Sequence, residues 1–261
     1  MRNLSLLCLG FALAAACGRS GDRAADAPAG DTSAPTATRP SASMAIVTVL
    51  YNTPKDTAAF ERYYAGTHIP LVVANQKEIG FVRADLTRFA STADGKKPPY
   101  YRQAELYFNS MDDLKKGMAT AGFKKVADDL ANFATGGLTG MIATTTNTHE
   151  QGSGGEPAAI VTVVYRAPKD TAAFEKYYAE KHLPLVTAGQ QQIGYDRAEL
   201  TKFDANLDGS KPARYRQAVL YFASMDALKR GTATPAFKEV AGDLPRFATG
   251  GFDALVGAET K

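Results

Sequence analysis

Apolar and polar positions fall along the chain in blocks that outline a small fold. Ala45 to Tyr51 is a continuous β-branched and apolar run stopped by Pro54, the pattern of a strand covered on both faces. Asp56 then stands where a helix N-cap is expected. Phe60, Tyr64 and His68 follow at helical spacing, so a helix from Thr57 to about Thr67 puts them on one face unless its last turn unwinds before Pro70. Phe81 to Phe89 and Tyr101 to Phe108 read as strands joined by a turn-rich hairpin loop. Met111 to Phe133 reads as a helical region broken near Gly117 and Gly122, and Leu138 to Thr145 as a final strand. The order β-α-β-β-α-β is the ferredoxin-like split arrangement, an α+β unit with one sheet and its helices on one face.

This pattern is written twice. Ile46 to Gly137 recurs as Ile160 to Gly251 without a gap, about two positions in three being identical. Residues 44–147 and 158–261 are therefore two copies of one domain, with 148–157 as the exposed linker. Two copies are too few for a solenoid, which points to an intramolecular dimer. A strand that is apolar on both faces needs a cover for the face its own helices leave bare. The second copy supplies it if the two sheets stack as an α/β barrel with helices outside.

Residues 1–17 have a different character: one basic residue, Arg2, then an apolar run from Leu4 to Ala16 too short to span a bilayer. That is a signal peptide. Its end, Leu13-Ala14-Ala15-Ala16-Cys17, resembles a bacterial lipobox, with Leu13 one place further from the cysteine than usual. Lipidation at Cys17 would leave an exported protein anchored in the membrane and facing the periplasm; the alternative is a conventional secretory signal cut nearby. Residues 18–43, rich in Ala, Pro, Ser, Thr and Asp and without aromatics, read as a flexible tether.

The only cysteines are Cys8 and Cys17, so the folded part must be held by its core alone. A net charge of +3, with Lys and Arg scattered among Asp and Glu, gives no footprint for nucleic acid. Contact with the membrane is expected through the lipid alone. One histidine per copy and no cysteine argue against zinc. Gly-Gly at 136 and 250 follows a helix instead of opening one, so no phosphate cradle is visible.

Of the three histidines, His149 falls in the linker, while His68 and His182 occupy one slot in the two copies. Histidine moves protons near neutral pH, and a tyrosine one helical turn away can hydrogen-bond the same ligand. Tyr64 with His68, and Tyr178 with His182, are thus the candidate catalytic pairs. A structural reading competes: imidazoles capping helix C-termini beside core tyrosines with wet hydroxyls, a reading that leads for Tyr63 and Tyr177. Tyr51, Tyr165, Phe60, Phe174, Gln103 and Gln217 are candidate substrate contacts. Alternation groups Gln103 with Tyr101 and Tyr107, opposite Arg102. Arg83 with Asp85, and Arg197 with Glu199, read as ion pairs on an exposed strand face. Glu105 is Val219 in the second copy, so the two sites need not be equivalent.

The motif Tyr51-x-x-Pro54-x-Asp56-x-x-x-Phe60-x-x-Tyr63-Tyr64-x-x-x-His68-x-Pro70-Leu71 recurs as Tyr165, Pro168, Asp170, Phe174, Tyr177, Tyr178, His182, Pro184 and Leu185. With Asp129-Leu130-x-x-Phe133 and Asp243-Leu244-x-x-Phe247, each unit resembles the EthD family of the dimeric α/β barrel superfamily. That resemblance implies a barrel and chemistry on small organic compounds, often under the label of oxidoreductase, with the reaction poorly defined. Related barrels include cofactor-free monooxygenases and haem-handling proteins, and fold alone does not choose among them.

The expected function is an exported enzyme that acts on a small apolar compound in a pocket between helix and sheet of each copy. It would use cofactor-free acid/base chemistry at His and Tyr. The alternative is an envelope-tethered binding protein for a hydrophobic ligand or haem, haem being the minor choice. A third reading, a purely structural module, requires a filled interior with His68 against backbone carbonyls.

Overall fold

The computed structural model describes residues 43–150 and 159–260. The signal segment with Cys17, nearly all of the tether and most of the linker lie outside the described residues. The first unit contains strands β1 (Met44–Asn52), β2 (Arg83–Thr92), β3 (Tyr100–Phe108) and β4 (Leu138–Glu150). Its helices are α1 (Thr57–Tyr63), α2 (Ile69–Ile79), α3 (Met111–Met118) and α4 (Ala121–Asp129). The second unit repeats them as β5 (Ala159–Tyr165), β6 (Arg197–Asn206), β7 (Arg216–Phe222) and β8 (Phe252–Glu259), with α5 (Thr171–Tyr177), α6 (Leu183–Ile193), α7 (Met225–Thr232) and α8 (Pro235–Phe247). Strand β4 runs into the stretch assigned to the linker, because Asn147, Thr148 and Glu150 pair with β6; His149 therefore belongs to a strand.

The two sheets close edge to edge instead of stacking. The strand order is β1-β3-β2-β8-β5-β7-β6-β4, returning to β1. The seams between units are the antiparallel pairs β2–β8 and β4–β6. Each unit thus covers the other's open strand edges, which would otherwise recruit foreign strands. All eight strands send residues into one interior cluster, among them Leu50, Phe89, Tyr100, Met141, Ile160, Phe203, Tyr221 and Leu255. This explains the apolar first strand: Leu50 faces the barrel interior, while Ala45 and Val47 pack outward against Val72, Ile79, Leu114 and Val126 of the helices.

The first helix does not stop at Pro70. Asp56 caps α1 by accepting from the Ala58 and Ala59 amides, both at 2.9 Å. The chain then widens into one π turn, Tyr64–His68, and continues as α2 to Gly80, which closes it in the left-handed conformation at φ 84°. Pro70 cannot donate to the carbonyl four residues back, and its ring crowds that carbonyl; the wider turn just before it accommodates both. The second helical region breaks as expected, with Thr120 and Thr234 capping the new starts and Pro235 in the first turn. Gly117 and Gly231 let α3 and α7 approach the C-terminal carbonyls of Ile79 and Ile193, where a Cβ would collide.

Among the described residues, no helix is long and apolar enough to cross a membrane.

Candidate functional site

Between the outer face of each half-sheet and its helices lies a cavity of about 360 Å³ in the first unit and about 500 Å³ in the second. The walls are chiefly aliphatic. Val47, Val49, Leu86 and Leu106 rise from the sheet and Val72, Val126 and Leu130 face them from the helices, with equivalent residues in the second unit. Tyr51, Tyr64 and His68, and likewise Tyr165, Tyr178 and His182, line one wall.

The π turn sets that wall. Phe60, Tyr64 and His68 share a face: the Phe60 and Tyr64 rings stack at 5.5 Å, and Tyr64 and His68 at 5.6 Å. Phe133 lies 4.6 Å from the imidazole, which is only 4 % exposed. His68 Nδ1 meets Asp129 Oδ2 at 2.8 Å, and His182 Nδ1 meets Asp243 Oδ2 at 2.9 Å. Tyr63 Oη donates to the other oxygen of Asp129 at 2.7 Å, and Tyr177 Oη does the same to Asp243 at 2.8 Å. Asn132 adds a bond to Asp129 at 3.0 Å.

The carboxylate fixes the tautomer. Asp129 can only accept when ionised, so Nδ1 carries the proton and Nε2 keeps its lone pair. Burial pushes the pKa of both histidines down, and the carboxylate partners offset it in part. Burial also acts on Asp129, but the bonds from Tyr63, His68 and Asn132 prevail and hold its pKa below the ordinary value. The imidazole is thus neutral near pH 7 and positioned as a base.

The tyrosine next to it has no partner. Tyr64 Oη and Tyr178 Oη are buried and make no hydrogen bond, and burial raises both pKa values. Arg102 and Arg216 lie over these rings at 4.8 and 5.1 Å. Each arginine is held by Glu61 or Glu175, with closest approaches of 2.6 and 2.5 Å. A buried hydroxyl without a partner is unfavourable by about 1–3 kcal/mol, so a polar atom of a ligand is the natural complement.

Several expectations are corrected by these positions. His68 does not cap a helix end, because the helix continues and its imidazole bonds a carboxylate. Tyr63 and Tyr177 are half-buried: their rings do stack on the core residues Phe133 and Phe247, but their hydroxyls orient Asp129 and Asp243 instead of being left to water. Phe60 and Phe174 support the tyrosine rings from below and do not line the cavities. Gln103 and Gln217 point into the barrel interior, away from both cavities, where Gln217 Nε2 donates to Glu105 at 2.9 Å. Tyr101 parts from Gln103 and joins Arg102 on Glu61, because a bulge at Tyr51/Asn52 interrupts the alternation.

The pairs placed on an exposed strand face also turn inward. Glu199 is fully buried, bonded by Tyr107 Oη at 2.6 Å and by Arg83 of the other unit at 3.1 Å. Sequence reasoning missed Asp129 and Asp243 as site residues. Their signal was the duplicated Asp-Leu-x-x-Phe, which the sequence offers only as a mark of the family resemblance.

A closed barrel of two ferredoxin-like halves, each with a cavity under its helices, defines a fused dimeric α/β barrel. Residues 52–137 and 166–251 match the EthD domain, and the chain belongs to the EthD family. It is 38% identical over 93 residues to the "Uncharacterized 11.0 kDa protein in thcB-thcC intergenic region" of Rhodococcus erythropolis, a match to 36% of this chain and 86% of that protein. An EthD family protein from Bacillus halodurans is 31% identical over 38% of this chain and 95% of its own, with TM-score 0.34. An anthrone oxidase-like protein shares 14% identity over 84% of this chain and 92% of its own, with TM-score 0.57, a likeness of fold.

Proposed function

We propose that each unit binds a small, largely apolar organic compound bearing one polar group, and that His68 and His182 exchange a proton with that group. The observation that carries this reading is the buried, unpartnered Tyr64 hydroxyl beside the carboxylate-oriented His68 in an aliphatic cavity, repeated in the second unit as Tyr178 and His182. The tyrosine hydroxyl donates to the polar atom of the substrate, Nε2 of the neutral imidazole accepts a proton, and Asp129 or Asp243 stabilises the imidazolium that forms. Family membership supports an enzyme of small-molecule metabolism, and the oxidoreductase label of the family enters as part of this proposal. The N-terminal signal and Cys17 support export and lipid anchoring.

Haem is a poor fit to the larger cavity. Its lining holds neither Lys nor Arg for a pair of propionates, and the nearby cations Lys96 and Arg166 are already paired with its carboxylates Asp94 and Asp253.

The test is a panel of phenols and activated carbon acids, followed by turnover and by the imidazole ¹⁵N signals of the three histidines. Binding with turnover in the wild type, and binding without turnover in a folded His68→Asn, His182→Asn double variant, supports an enzyme. Equal turnover in that variant overturns the acid/base role. Binding with no turnover in either protein favours the carrier reading.

A further inference from the structure

The two cavities differ in size, and the difference traces to residues that reach across from the other unit. The loop after β2 begins at Ala93, whose amide donates to the Ala254 carbonyl of β8 at 2.8 Å. Ala93 and Ala254 both line the cavity of the second unit. The matching loop after β6 begins at Leu207, whose amide donates to the Gly140 carbonyl of β4 at 3.0 Å. Leu207 lines the cavity of the first unit and packs against its helix–sheet core. Each cavity is therefore completed by the hairpin of its neighbour, at the same place in the fold.

The residues at this place have exchanged volume. One cavity carries Leu207 over Gly140, the other Ala93 over Ala254. A Cβ at Gly140 would run into Leu207 Cδ1 as it now lies, so the glycine leaves room for the large loop residue above it. The remaining wall residues are mostly conserved in size between the units, with Val47, Val49, Tyr51 and Leu86 matched by Val161, Val163, Tyr165 and Leu200. Filling by Leu207 accords with the smaller first cavity, about 360 Å³ against about 500 Å³.

We propose that the hairpin residue is the specificity-determining position. The second unit takes ligands with a longer apolar tail, the first unit is restricted to short ones by Leu207, and the duplicated protein thereby handles two size classes of one chemical type. The proposal rests on the reading that these cavities bind small apolar compounds with one polar group. Each methylene that finds room is worth about fourfold in affinity, so a blocked end produces a sharp limit in chain length.

The experiment titrates the full chain with 4-alkylphenols from 4-ethylphenol to 4-octylphenol and reads the His68 and His182 imidazole signals separately. In the wild type, 4-ethylphenol should shift both histidines and 4-hexylphenol His182 alone. Leu207→Ala should raise the affinity of 4-hexylphenol at His68 at least tenfold. Ala93→Leu with Ala254→Gly should lower it at His182 by a similar factor while leaving 4-ethylphenol in place; this second variant keeps the test decisive should Leu207→Ala fail to fold. The same length limit at both histidines, or limits unmoved by the substitutions, overturns the proposal. Failure of every alkylphenol to shift either histidine instead overturns the reading of the cavities on which it rests.

Discussion

His68 and Asp129 stand 61 residues apart and meet at 2.8 Å, joining the π turn of the first helix to the last residue of α4. The contact does two things at once: it sets the imidazole tautomer and it ties together the two helical layers that roof the cavity. Its counterpart, His182 with Asp243 at 2.9 Å, does the same in the second unit.

Replacing Asp129 and Asp243 by Ala removes the acceptor that keeps the proton on Nδ1 and the charge beside it. Burial then acts on the imidazoles unopposed, so their pKa values should fall further below the ordinary value, an effect visible in ¹⁵N titration. Turnover should drop about 100-fold or more, since a base in the wrong tautomer cannot accept at Nε2. Unchanged titration curves would rule out the carboxylate as the orienting group.

Tyr64→Phe and Tyr178→Phe should separate stability from function. Each removes a buried hydroxyl that has no partner in the protein, so unfolding should become harder by up to about 1 kcal/mol per site in the absence of ligand. Phenol affinity should fall about tenfold or more. A loss of stability in either variant would mean that the hydroxyl is already bonded within the fold.

The barrel interior makes a prediction about pH. Glu105 is enclosed beside Glu199 and Tyr107, and burial, followed by repulsion from Glu199 and Asp85, pushes its pKa up to about 8. A carboxyl whose folded value lies above its unfolded value favours the fold while it stays protonated. That contribution is complete below about 4.5, the unfolded value, and is lost as pH rises toward 8. The thermal midpoint should therefore decline from pH 6 to pH 9, by about 2–4 °C for each kcal/mol. Glu105→Gln should flatten the decline, and an unchanged slope in that variant would assign the effect to other groups.

Gly117→Ala and Gly231→Ala should each destabilise by about 1–3 kcal/mol, because the added methyl meets the Ile79 or Ile193 carbonyl, a rigid backbone atom. Chemical denaturation gives the value directly. A neutral result would show that the α2–α3 and α6–α7 packing can shift to make room.

The strands were legible because their apolar runs are continuous and bounded by Pro and Gly, and the duplication declared the pairing of the units. The barrel with helices outside was legible too, but not that its two sheets join edge to edge. An apolar strand needs a second cover, but the same requirement is met by stacked sheets or by one closed sheet; only the register of β2 with β8 and of β4 with β6 distinguishes them. The interior polar residues suffered from this. Alternation correctly put Arg83 with Asp85, and Gln103 with Tyr107, on common faces, yet it could not say that the face was enclosed. At the site, Tyr64 and His68 were found because they lie one turn apart on one helix. Asp129 escaped because a contact between distant segments has no local periodicity.

The π turn is also a matter of phase. Upstream of it, α1 is timed to bury Phe60 beneath the Tyr64 ring, and the turn itself presents Tyr64 and His68 to the cavity; downstream, α2 is timed to bury Val72 and Ile79. Each residue in a regular helix advances the direction of its side chain by about 100°, so one residue inserted or deleted between these two stretches would rotate one against the other by that much. The wide turn absorbs the mismatch locally and lets both faces stay in time. A π turn holds one residue more than the α turn it replaces, and the second unit repeats it at Tyr178–His182.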